Sequence, residues 1–326
     1  MRNAPTIVQL AKQLGVASST VSRAFTNPRL LRPETVQRVL DAATEMGYVP
    51  NNYARALITG KSGAIGLIIP DIANPFFPPI IRSAQLAAEM LGLSVFIADT
   101  DNDPDRELLT ISRMSPQVEG LIIASSRLSE KSLLTIAQRQ PTVLINREIP
   151  GVSRLLVSAS KALDESIEHF INAGHVRIAY VGGPPRSWSN VQRRDSVTNA
   201  LKAKGLASLL FEAPAGTYAD GIAVSDAVVD SGATAVIAFD DVIAHGLMSG
   251  FRAGGLSVPE DIAILGCDDT LAISTYPPLS SIALDLSQVG KKAIELLRNT
   301  TSRGEIPEQR VELEGSLVLR GTTASS

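Results

Sequence analysis

The sequence has almost none of the residues that build disulfide frameworks and metal centres. Its 326 residues include one cysteine, Cys267, and three histidines. A single cysteine excludes an internal disulfide framework, and no group of cysteines and histidines has the spacing of metal ligands. We therefore expect no metal site, and a reducing compartment suits the chain.

Motifs of catalysis and cofactor binding are also missing. Neither a GxGxxG pattern nor a P-loop glycine–lysine pattern occurs, so no nucleotide cofactor is expected. His169, His175 and His245 are scattered along the chain without an adjacent nucleophile motif. Because a lone histidine is more often structural than catalytic, we expect neither an enzyme nor a bound cofactor.

Long apolar runs are absent as well. The amino terminus has no charged segment followed by a long apolar one, and no stretch reaches the roughly 18 uncharged apolar residues of a membrane span. These absences predict a cytoplasmic protein without membrane contact.

The acidic run 99–110, DTDNDPDRELLT, alternates like a calcium-binding loop. Pro104 and Thr110 stand where such a loop needs glycine and glutamate. A helix N-terminal cap is the better interpretation.

Charge is divided unevenly along the chain. The composition, with 44% apolar residues and a net charge of −3, predicts a globular protein with a sizeable core. Residues 1–61 nevertheless carry eight basic residues against three acidic ones. A small nucleic-acid-binding module fused to an acidic body has this asymmetry, although a merely solvated basic face would have it too.

The first 50 residues predict three short helices. Thr6 and Gln9 form a capping box that opens a helix ending near Leu14, and Gly15 supplies the left-handed residue after it. A second helix is predicted from about Ser18 to Phe25, and a third begins at Pro33 and runs to Gly47. This is a helix-turn-helix layout. Its predicted small core consists of Ala11, Val16, Val21, Phe25 and Leu40.

The second helix, within GVASSTVSRAFTNP, presents small hydroxyls and one guanidinium to solvent. Such a surface fits against the wall of a DNA major groove and donates to phosphates and base edges. A plain helix solvated by its serines is the alternative.

Apolar strands alternate with helical segments from residue 64 onward. AIGLIIP, LSVFIADT, VEGLIIAS, PTVLIN, RIAYVGG, TAVIAFDD and DIAILGCDD predict parallel sheets covered on both faces. Ligands of such folds sit at the carboxyl ends of the strands. Polar pairs follow these strands and should converge there: Asp71 with Asn74, Ser125 with Ser126, Asn146 with Arg147, Asp240 with Asp241, and Asp268 with Asp269.

Four motifs taken together resemble the lactose-repressor/galactose-repressor (LacI/GalR) family over essentially the full chain: GVASSTVSRAFTNP, MGYVPNNYARAL, IGLIIPDIANPFF and LGCDDT. The resemblance implies an all-α helix-turn-helix headpiece, a hinge helix, and an α/β periplasmic-binding-protein-like two-lobed domain with parallel sheets. The implied boundaries are 1–50, 51–61 and 62–326. The N-lobe covers about 62–157 plus 286–313, and the C-lobe covers about 158–285 plus the C-terminal tail.

The resemblance also implies which residues contact DNA. Ser18 and Ser19 take positions that read bases, and Arg23 takes that of a guanidinium that binds guanine. Leu57 matches a hinge leucine that wedges between base pairs from the minor groove. The other implied contacts are Thr6, Thr20, Ser22, Thr26, Asn27, Tyr48, Asn51, Ala54 and Arg55.

Two positions of the headpiece depart from the family pattern, as do Ser196 and Asp240 of the body, where the family usually has glycine and asparagine. Ala17 replaces the usual serine that caps the second helix, at a cost of about 1 kcal/mol unless Ser18 caps it instead. Arg32 replaces the serine before the third helix, where it can offer a phosphate contact.

A sugar-like effector between the lobes is implied by similarity. The implied ligand-facing residues are Asn74, Phe76, Ser125, Asn146, Ser189, Arg193, Tyr218, Asp240 and Asp268. Phe76 has the alternative of a core position, and Asp268 that of a cap for the next element. The acidic pair Asp240 and Asp268 favours a neutral sugar, polyol or nucleoside over a phosphorylated one, although Arg147 and Arg193 temper this.

These inferences combine into one functional expectation. The chain is expected to be a sequence-specific transcriptional regulator, with a repressor favoured over an activator. It is expected to bind pseudo-palindromic double-stranded operator DNA as a homodimer, under control of a small effector. The rival interpretation is a solute-binding transport receptor, which shares the body but requires export.

Overall fold

The computed structural model describes residues 5–48, 62–302 and 308–323, the side chains of 301 and 302 excepted. The chain divides into two compact units, Met1–Ser62 and Gly63–Ser326. The expected hinge contacts Asn51, Ala54, Arg55 and Leu57 lie outside the described residues.

The first unit contains the three predicted helices: α1 Ile7–Leu14, α2 Ser18–Thr26 and α3 Pro33–Met46. The capping box of α1 is confirmed, since the backbone N–H of Gln9 donates to Thr6 Oγ1 at 3.3 Å and that of Thr6 donates to Gln9 Oε1 at 2.8 Å. Gly15 ends α1 at φ 65° in the left-handed conformation that favours glycine.

The small core of this unit differs from the prediction at one position. Leu10, Ala11, Val21, Ala24, Val39, Ala42 and Ala43 are buried, with Val16 and Phe25 partly buried against them. Leu40 was expected inside, but its surface is 36% exposed. The buried face of α3 runs through Val39, Ala42 and Ala43, the i, i+3, i+4 spacing of one helix face, and this face excludes the next residue along.

The second unit consists of two six-stranded sheets. The strands are β1 Ala64–Ile69, β2 Ser94–Asp99, β3 Leu121–Ala124, β4 Thr142–Ile145, β5 Ser153–Ser158, β6 Ile178–Gly182, β7 Leu209–Glu212, β8 Ala235–Ala238, β9 Ala263–Asp268, β10 Ser280–Ala283, β11 Arg310–Glu314 and β12 Ser316–Val318. The first sheet has the order β11-β5-β4-β3-β1-β2 and the second β12-β10-β9-β8-β6-β7. All neighbours pair in parallel except β10 with β12.

Each sheet is the centre of one lobe. The N-lobe contains the sheet of β1–β5 and β11, and the C-lobe contains the sheet of β6–β10 and β12. The helices that complete the unit are α4 Phe77–Glu89, α5 Pro104–Met114, α6 Glu130–Arg139, α7 Ser160–Asn172, α8 Trp188–Ala203, α9 Tyr218–Asp230, α10 Asp241–Ala253 and α11 Leu286–Ser302.

The central strands are mostly apolar because both faces of each sheet are covered. All residues of β1, β3, β4, β8 and β9 are buried, whereas β2 and β7 at the sheet edges are only partly so. Helix α11 comes late in the chain but packs on α4 and on β3–β5 of the N-lobe. The chain therefore passes repeatedly between the lobes. None of the helices in the described part of the chain is long and apolar enough to cross a membrane.

Helices α9 and α10 of the C-lobe cross at glycines. A Cβ atom on Gly246 would lie 2.9 Å from Cα of Gly221 and 3.1 Å from the backbone nitrogen of Ile222. Backbone atoms cannot move aside as a flexible side chain can, so the close approach requires glycine here.

Gly246→Ala should therefore lower the free energy of unfolding by about 1–3 kcal/mol, the usual cost of overpacking. Gly254→Ala is the matched control, since its added Cβ meets only ordinary contacts from 3.4 Å outward. Denaturant unfolding of the two variants measures the difference. Equal stability of both would show that the crossing tolerates a side chain.

Candidate functional site

The exposed surface of α2 is polar and carries one unpaired cation. Ser19, Ser22, Arg23, Thr26 and Asn27 are exposed, whereas Ser18 and Thr20 are partly buried. The Thr26 hydroxyl donates to the Ser22 carbonyl at 2.9 Å. Within the described residues the Arg23 guanidinium has no hydrogen bond or ion pair, so it is available to an external acceptor.

The start of α2 is left without a side-chain cap. Ala17 accepts backbone hydrogen bonds from Thr20 and Val21, but within the described chain no side chain, Ser18 included, caps the helix. The first N–H groups of α2 therefore remain open, and such groups bind anions such as a DNA phosphate. Arg32 likewise precedes α3 without a capping hydrogen bond.

Two other predicted DNA contacts have structural partners. Thr6 is exposed but its side chain belongs to the capping box of α1. The Tyr48 ring packs 5.9 Å from that of Phe25, and burial raises the pKa of its hydroxyl.

In the second unit, the carboxyl ends of the strands surround a cavity between the two lobes. It encloses about 550 Å³ of space, its mouth included. Eight of the nine predicted effector residues line it: Asn74, Phe76, Ser125, Asn146, Ser189, Arg193, Asp240 and Asp268.

Tyr218 is the exception and corrects the prediction. It is the first residue of α9, its hydroxyl lies 2.7 Å from Ser249 Oγ, and its side chain lines a different groove on the C-lobe surface. The cavity is instead approached in this region by Ala215 and Gly216 of the preceding loop.

The backbone is left-handed where three strands end. Ser125 follows β3 at φ 47°, Asn146 follows β4 at φ 51°, and Asp268 ends β9 at φ 98°. Residues with a Cβ adopt this conformation at a cost of about 1–2 kcal/mol, least for asparagine and aspartate. All three side chains line the cavity, so the strained backbone conformations lie at the candidate binding site.

A buried ion pair forms one wall of the cavity. Arg193 of α8 donates to Asp268 Oδ1 at 2.9 Å, and both side chains are almost fully buried. Arg193 also donates to the carbonyl of Phe239 and lies 4.8 Å above the Phe239 ring. Burial raises the pKa of Asp268, and the nearby guanidinium opposes this by stabilising the carboxylate.

Asp240 joins the two lobes across the cavity. Its Oδ1 caps α10 by accepting from the Ile243 N–H at 2.9 Å, and its Oδ2 accepts from Asn74 Nδ2 of the N-lobe at 3.2 Å. Burial and the nearby charge of Asp268 raise the pKa of Asp240 to about 7.

Only some of the polar residues that follow the strands converge on the cavity. Asp71 and Asn74 both line the cavity, but of the other pairs only the first member does so. The second members of these four pairs instead form hydrogen bonds or ion pairs with neighbouring parts of their own lobe. Ser126 donates to Glu107, Arg147 donates to the Leu128 carbonyl, Asp241 accepts from Ser281, and Asp269 pairs with Arg320.

Sequence reasoning missed several residues of the cavity, Asn102, Arg127 and Phe239 among them. Asn102 and Arg127 line it and contact each other, with Arg127 Nη2 2.8 Å from Asn102 Oδ1, and Phe239 supplies its aromatic wall. Phe239 directly follows β8, and Arg127 comes three residues after β3 ends at Ala124, so a position near a strand end was a usable signal for both. Phe76, which had two interpretations, satisfies both: it is 7% exposed in the core and touches the cavity.

Comparison with known proteins identifies the chain. Residues 6–51 match the family described as bacterial regulatory proteins, lacI family, and residues 167–323 match the periplasmic binding protein-like domain. The chain is 32% identical over 330 residues to catabolite control protein A of Streptococcus mutans, with 98% of each chain covered. The chain belongs to the lacI family of bacterial regulatory proteins. It is a LacI-family transcriptional regulator with a DNA-binding headpiece.

Solved structures agree with the fold of this LacI-family regulator. The lac repressor dimer bound to operator and the anti-inducer ONPF superposes with a TM-score of 0.87 at 24% identity, covering 99% of this chain and 100% of that one. The transcriptional regulator CelR in complex with cellobiose has a TM-score of 0.73 at 26% identity, covering 98% and 99%.

The raised pKa of Asp240 gives this regulator a pH-dependent stability. The unfolded chain loses the Asp240 proton near its ordinary pKa of about 4, but the folded protein keeps it until about pH 7. The free energy of unfolding therefore falls as the pH rises through this interval. Asp240→Asn should make that fall shallower without abolishing it, because burial also raises the pKa of Asp241 to about 7.

Denaturant unfolding at several pH values between about 4 and 8 tests this. Asp103→Asn is the control, since Asp103 also caps a helix, α5, but is exposed. A slope left unchanged by Asp240→Asn would place the titration elsewhere.

Proposed function

We propose that this regulator binds pseudo-palindromic operator DNA as a homodimer, and that a small neutral sugar-like effector in the interlobe cavity sets its affinity for the operator. The observation that carries the proposal is the cavity itself. Its walls come from both lobes, and the hydrogen bond between Asn74 and Asp240 crosses it. A ligand that enters must replace this bond and so change how the lobes are joined.

Binding to DNA is assigned to α2. Ser19, Ser22 and Arg23 form an exposed polar surface, and the uncapped N-terminus of the helix leaves its first N–H groups open to a phosphate. Small side chains allow close approach to base edges, and an arginine can bind guanine in bidentate fashion. Ser18, Thr20, Thr26 and Asn27 are proposed to extend the contact along the groove, with Tyr48 and Thr6 at its margin.

The homodimer is supported by apolar side chains that stand exposed on the second unit. On the N-lobe, Met90 after α4 is 88% exposed, and Leu86 and Ile72 are more than half exposed. On the C-lobe, Tyr276 is 95% exposed, and Ile273, three residues before it, is exposed too. We propose that some of these side chains form an apolar surface on which two copies pack. Association of two copies through it would hold two headpieces over two half-sites.

The chemistry of the cavity favours a neutral polyhydroxy ligand. Asp240 and Asp268 offer carboxylate oxygens to hydroxyls, Asn146 offers an amide, and Phe76 and Phe239 offer apolar surface to a C–H face. Because Arg193 is already paired with Asp268, its charge is not free for an anionic effector. A related regulator is known in complex with cellobiose, which favours a sugar as the ligand. A polyol or a nucleoside is the alternative.

Control of transcription follows from coupling between the cavity and the headpieces. An effector that favours one arrangement of the lobes shifts the equilibrium between arrangements, and with it the separation of the two hinges. Hinge residues Ala54, Arg55 and Leu57 are proposed to contact DNA only when the two hinges have the separation that both half-sites require. Occupation of an operator blocks other proteins there, so we propose a repressor that acts in the cytoplasm.

The rival function is a solute-binding transport receptor with the same two lobes. The match of residues 6–51 to the lacI family favours the regulator. A gel-shift titration with promoter fragments at rising salt separates the two. A regulator should bind duplex DNA and lose affinity steeply with salt, and a transport receptor should not bind it.

Arg23→Ala should weaken operator binding by about 1–3 kcal/mol and relax the preference at one base pair in each half-site. Arg113→Ala, which removes an exposed arginine from α5 of the body, is the charge-matched control and should leave binding unchanged. Fluorescence anisotropy with operator and single-base variants provides the measurement. Retention of full affinity and base preference by Arg23→Ala would remove this residue from the DNA interface.

Asp268→Asn should respond to effector only at tenfold or higher concentrations, since the wall of the cavity loses its carboxylate. The fold should also lose stability, because Arg193 is left buried without its partner. Asp269→Asn is the matched control, because Asp269 is the next residue and also pairs with an arginine, Arg320, but does not line the cavity. A thermal-shift screen of sugars, polyols and nucleosides identifies the effector first. An unaltered response of Asp268→Asn would exclude this cavity as the effector site.

A further inference from the structure

A second cavity lies between the lobes beside the first. It encloses about 1240 Å³ including its open mouth, and Arg127 lines both cavities. The N-lobe contributes Arg127 and Arg147 to its walls, and the C-lobe contributes Arg186 and Trp188. Like the first cavity, it therefore bridges the two lobes.

The charges around this cavity are unbalanced. Three guanidinium groups, those of Arg127, Arg147 and Arg186, face one carboxylate in the lining, that of Asp105. Within the described residues none of the three arginines has a salt bridge. By contrast, the buried or partly buried arginines Arg154, Arg193, Arg194 and Arg320 each have one.

Arg147 also has an unsatisfied donor. Its Nη2 donates to the Leu128 carbonyl at 2.8 Å, but its Nε is buried without a hydrogen-bond partner in the described structure. A buried donor left unpaired is destabilising, because it has lost its hydrogen bonds to water and gained none in the protein. An acceptor in the cavity would remove that cost.

Arg127 is fixed in place by neutral groups. Its Nη2 and Nε donate to Asn102 Oδ1 at 2.8 and 3.2 Å, and its Nη1 donates to the Ser125 carbonyl at 3.0 Å. Burial lowers the pKa of Arg127 to about 10, the charge of Arg147 acts in the same direction, and the carboxyl of Glu107 behind it acts in the opposite one. The two arginines of the N-lobe thus repel each other, which an anion between them would relieve.

Hydroxyl donors complete the lining. Ser129 caps α6 by accepting from the Ser132 N–H at 3.2 Å, and both serine hydroxyls line the cavity, 2.9 Å apart. Guanidinium groups together with serine hydroxyls form the usual donor set for phosphate oxygens.

We propose that this second cavity is a binding site for the phosphate group of a phosphorylated small molecule. Arg127 and Arg147 of one lobe and Arg186 of the other bind its oxygens, so the bound phosphate joins the lobes. The assignment of the site stands on these contacts alone, whereas an effect on operator binding rests on the proposed function. A phosphorylated ligand would thereby act on the same interlobe geometry as the neutral effector, through a separate set of residues.

Calorimetric titration of the full chain with inorganic phosphate tests the site. The titration is done at about pH 8, where the dianion dominates, with chloride replaced to keep ionic strength constant. We expect saturable binding in the roughly millimolar range, which suits a ligand of five heavy atoms. Arg147→Gln and Arg186→Gln should each weaken it at least fivefold. Arg113→Gln, which lies outside the cavity, should leave it unchanged.

Three results would overturn the proposal. These are the absence of saturable phosphate binding, unaltered binding in both Arg147→Gln and Arg186→Gln, or loss of phosphate binding in Asp268→Asn with the arginine variants unaffected, which would place the anion in the first cavity. Sugar phosphates titrated beside their neutral sugars show whether the phosphate arrives on the effector or on a separate molecule, since only the former competes with neutral sugar. A failure here leaves operator binding and the Asp268→Asn result untouched, so the two hypotheses fail independently.

Discussion

The buried ion pair between Arg193 and Asp268 is the interaction on which the arrangement of the cleft depends. Removing both charges from water costs several kcal/mol per ion, and only good geometry offsets this. Arg193 has it, with Asp268 at 2.9 Å, the Phe239 carbonyl as a further acceptor and the Phe239 ring beneath. The pair ties α8 to the ends of β8 and β9.

The two interlobe cavities have opposite electrostatic characters. In the first, Arg193 is neutralised and Asp240 has a pKa near 7, so the lining is acidic to neutral and suits hydroxyl groups. In the second, three arginines face one carboxylate. Arg127 separates the two environments and lines both. Because both cavities have walls from each lobe, a ligand in either one changes the free energy of the arrangement in which it fits best. A regulator built this way can combine two metabolic signals at a single interlobe contact.

What the sequence predicts well is local. The capping box at Thr6, the left-handed Gly15 and the start of α3 at Pro33 depend on residues within one helical turn, so they were predictable, as were the apolar buried strands. Leu40 was placed wrongly because two adjacent apolar residues, Val39 and Leu40, compete for one buried face. Which of the two is buried depends on how α3 is rotated about its own axis when it packs on α1 and α2.

The cavity was predictable only in part, for a related reason. Residues at the carboxyl end of a strand, or within two positions of it, have a position fixed by the sheet, which is why Ser125, Asn146, Asp240 and Asp268 all line the cavity. Tyr218 follows a loop instead, and the loop turns it onto the C-lobe surface. In three of the polar pairs the first residue, Ser125, Asn146 or Asp268, faces the cavity from a left-handed backbone conformation. Ser125 and Asn146 adopt that conformation through the fold around them. Arg127 and Asn102 come together from two separate loops, a contact that spacing along the chain does not reveal.

Thermodynamic reciprocity tests the central claim, that cavity and headpiece report on one shared arrangement of the lobes. The dissociation constant of the effector should be measured for the free protein and for the protein saturated with operator duplex. Linkage requires the two constants to differ by the same factor by which effector changes operator affinity, typically 5- to 150-fold for an allosteric pair. Equal effector affinity with and without operator would contradict the account, because cavity and headpiece would then be independent.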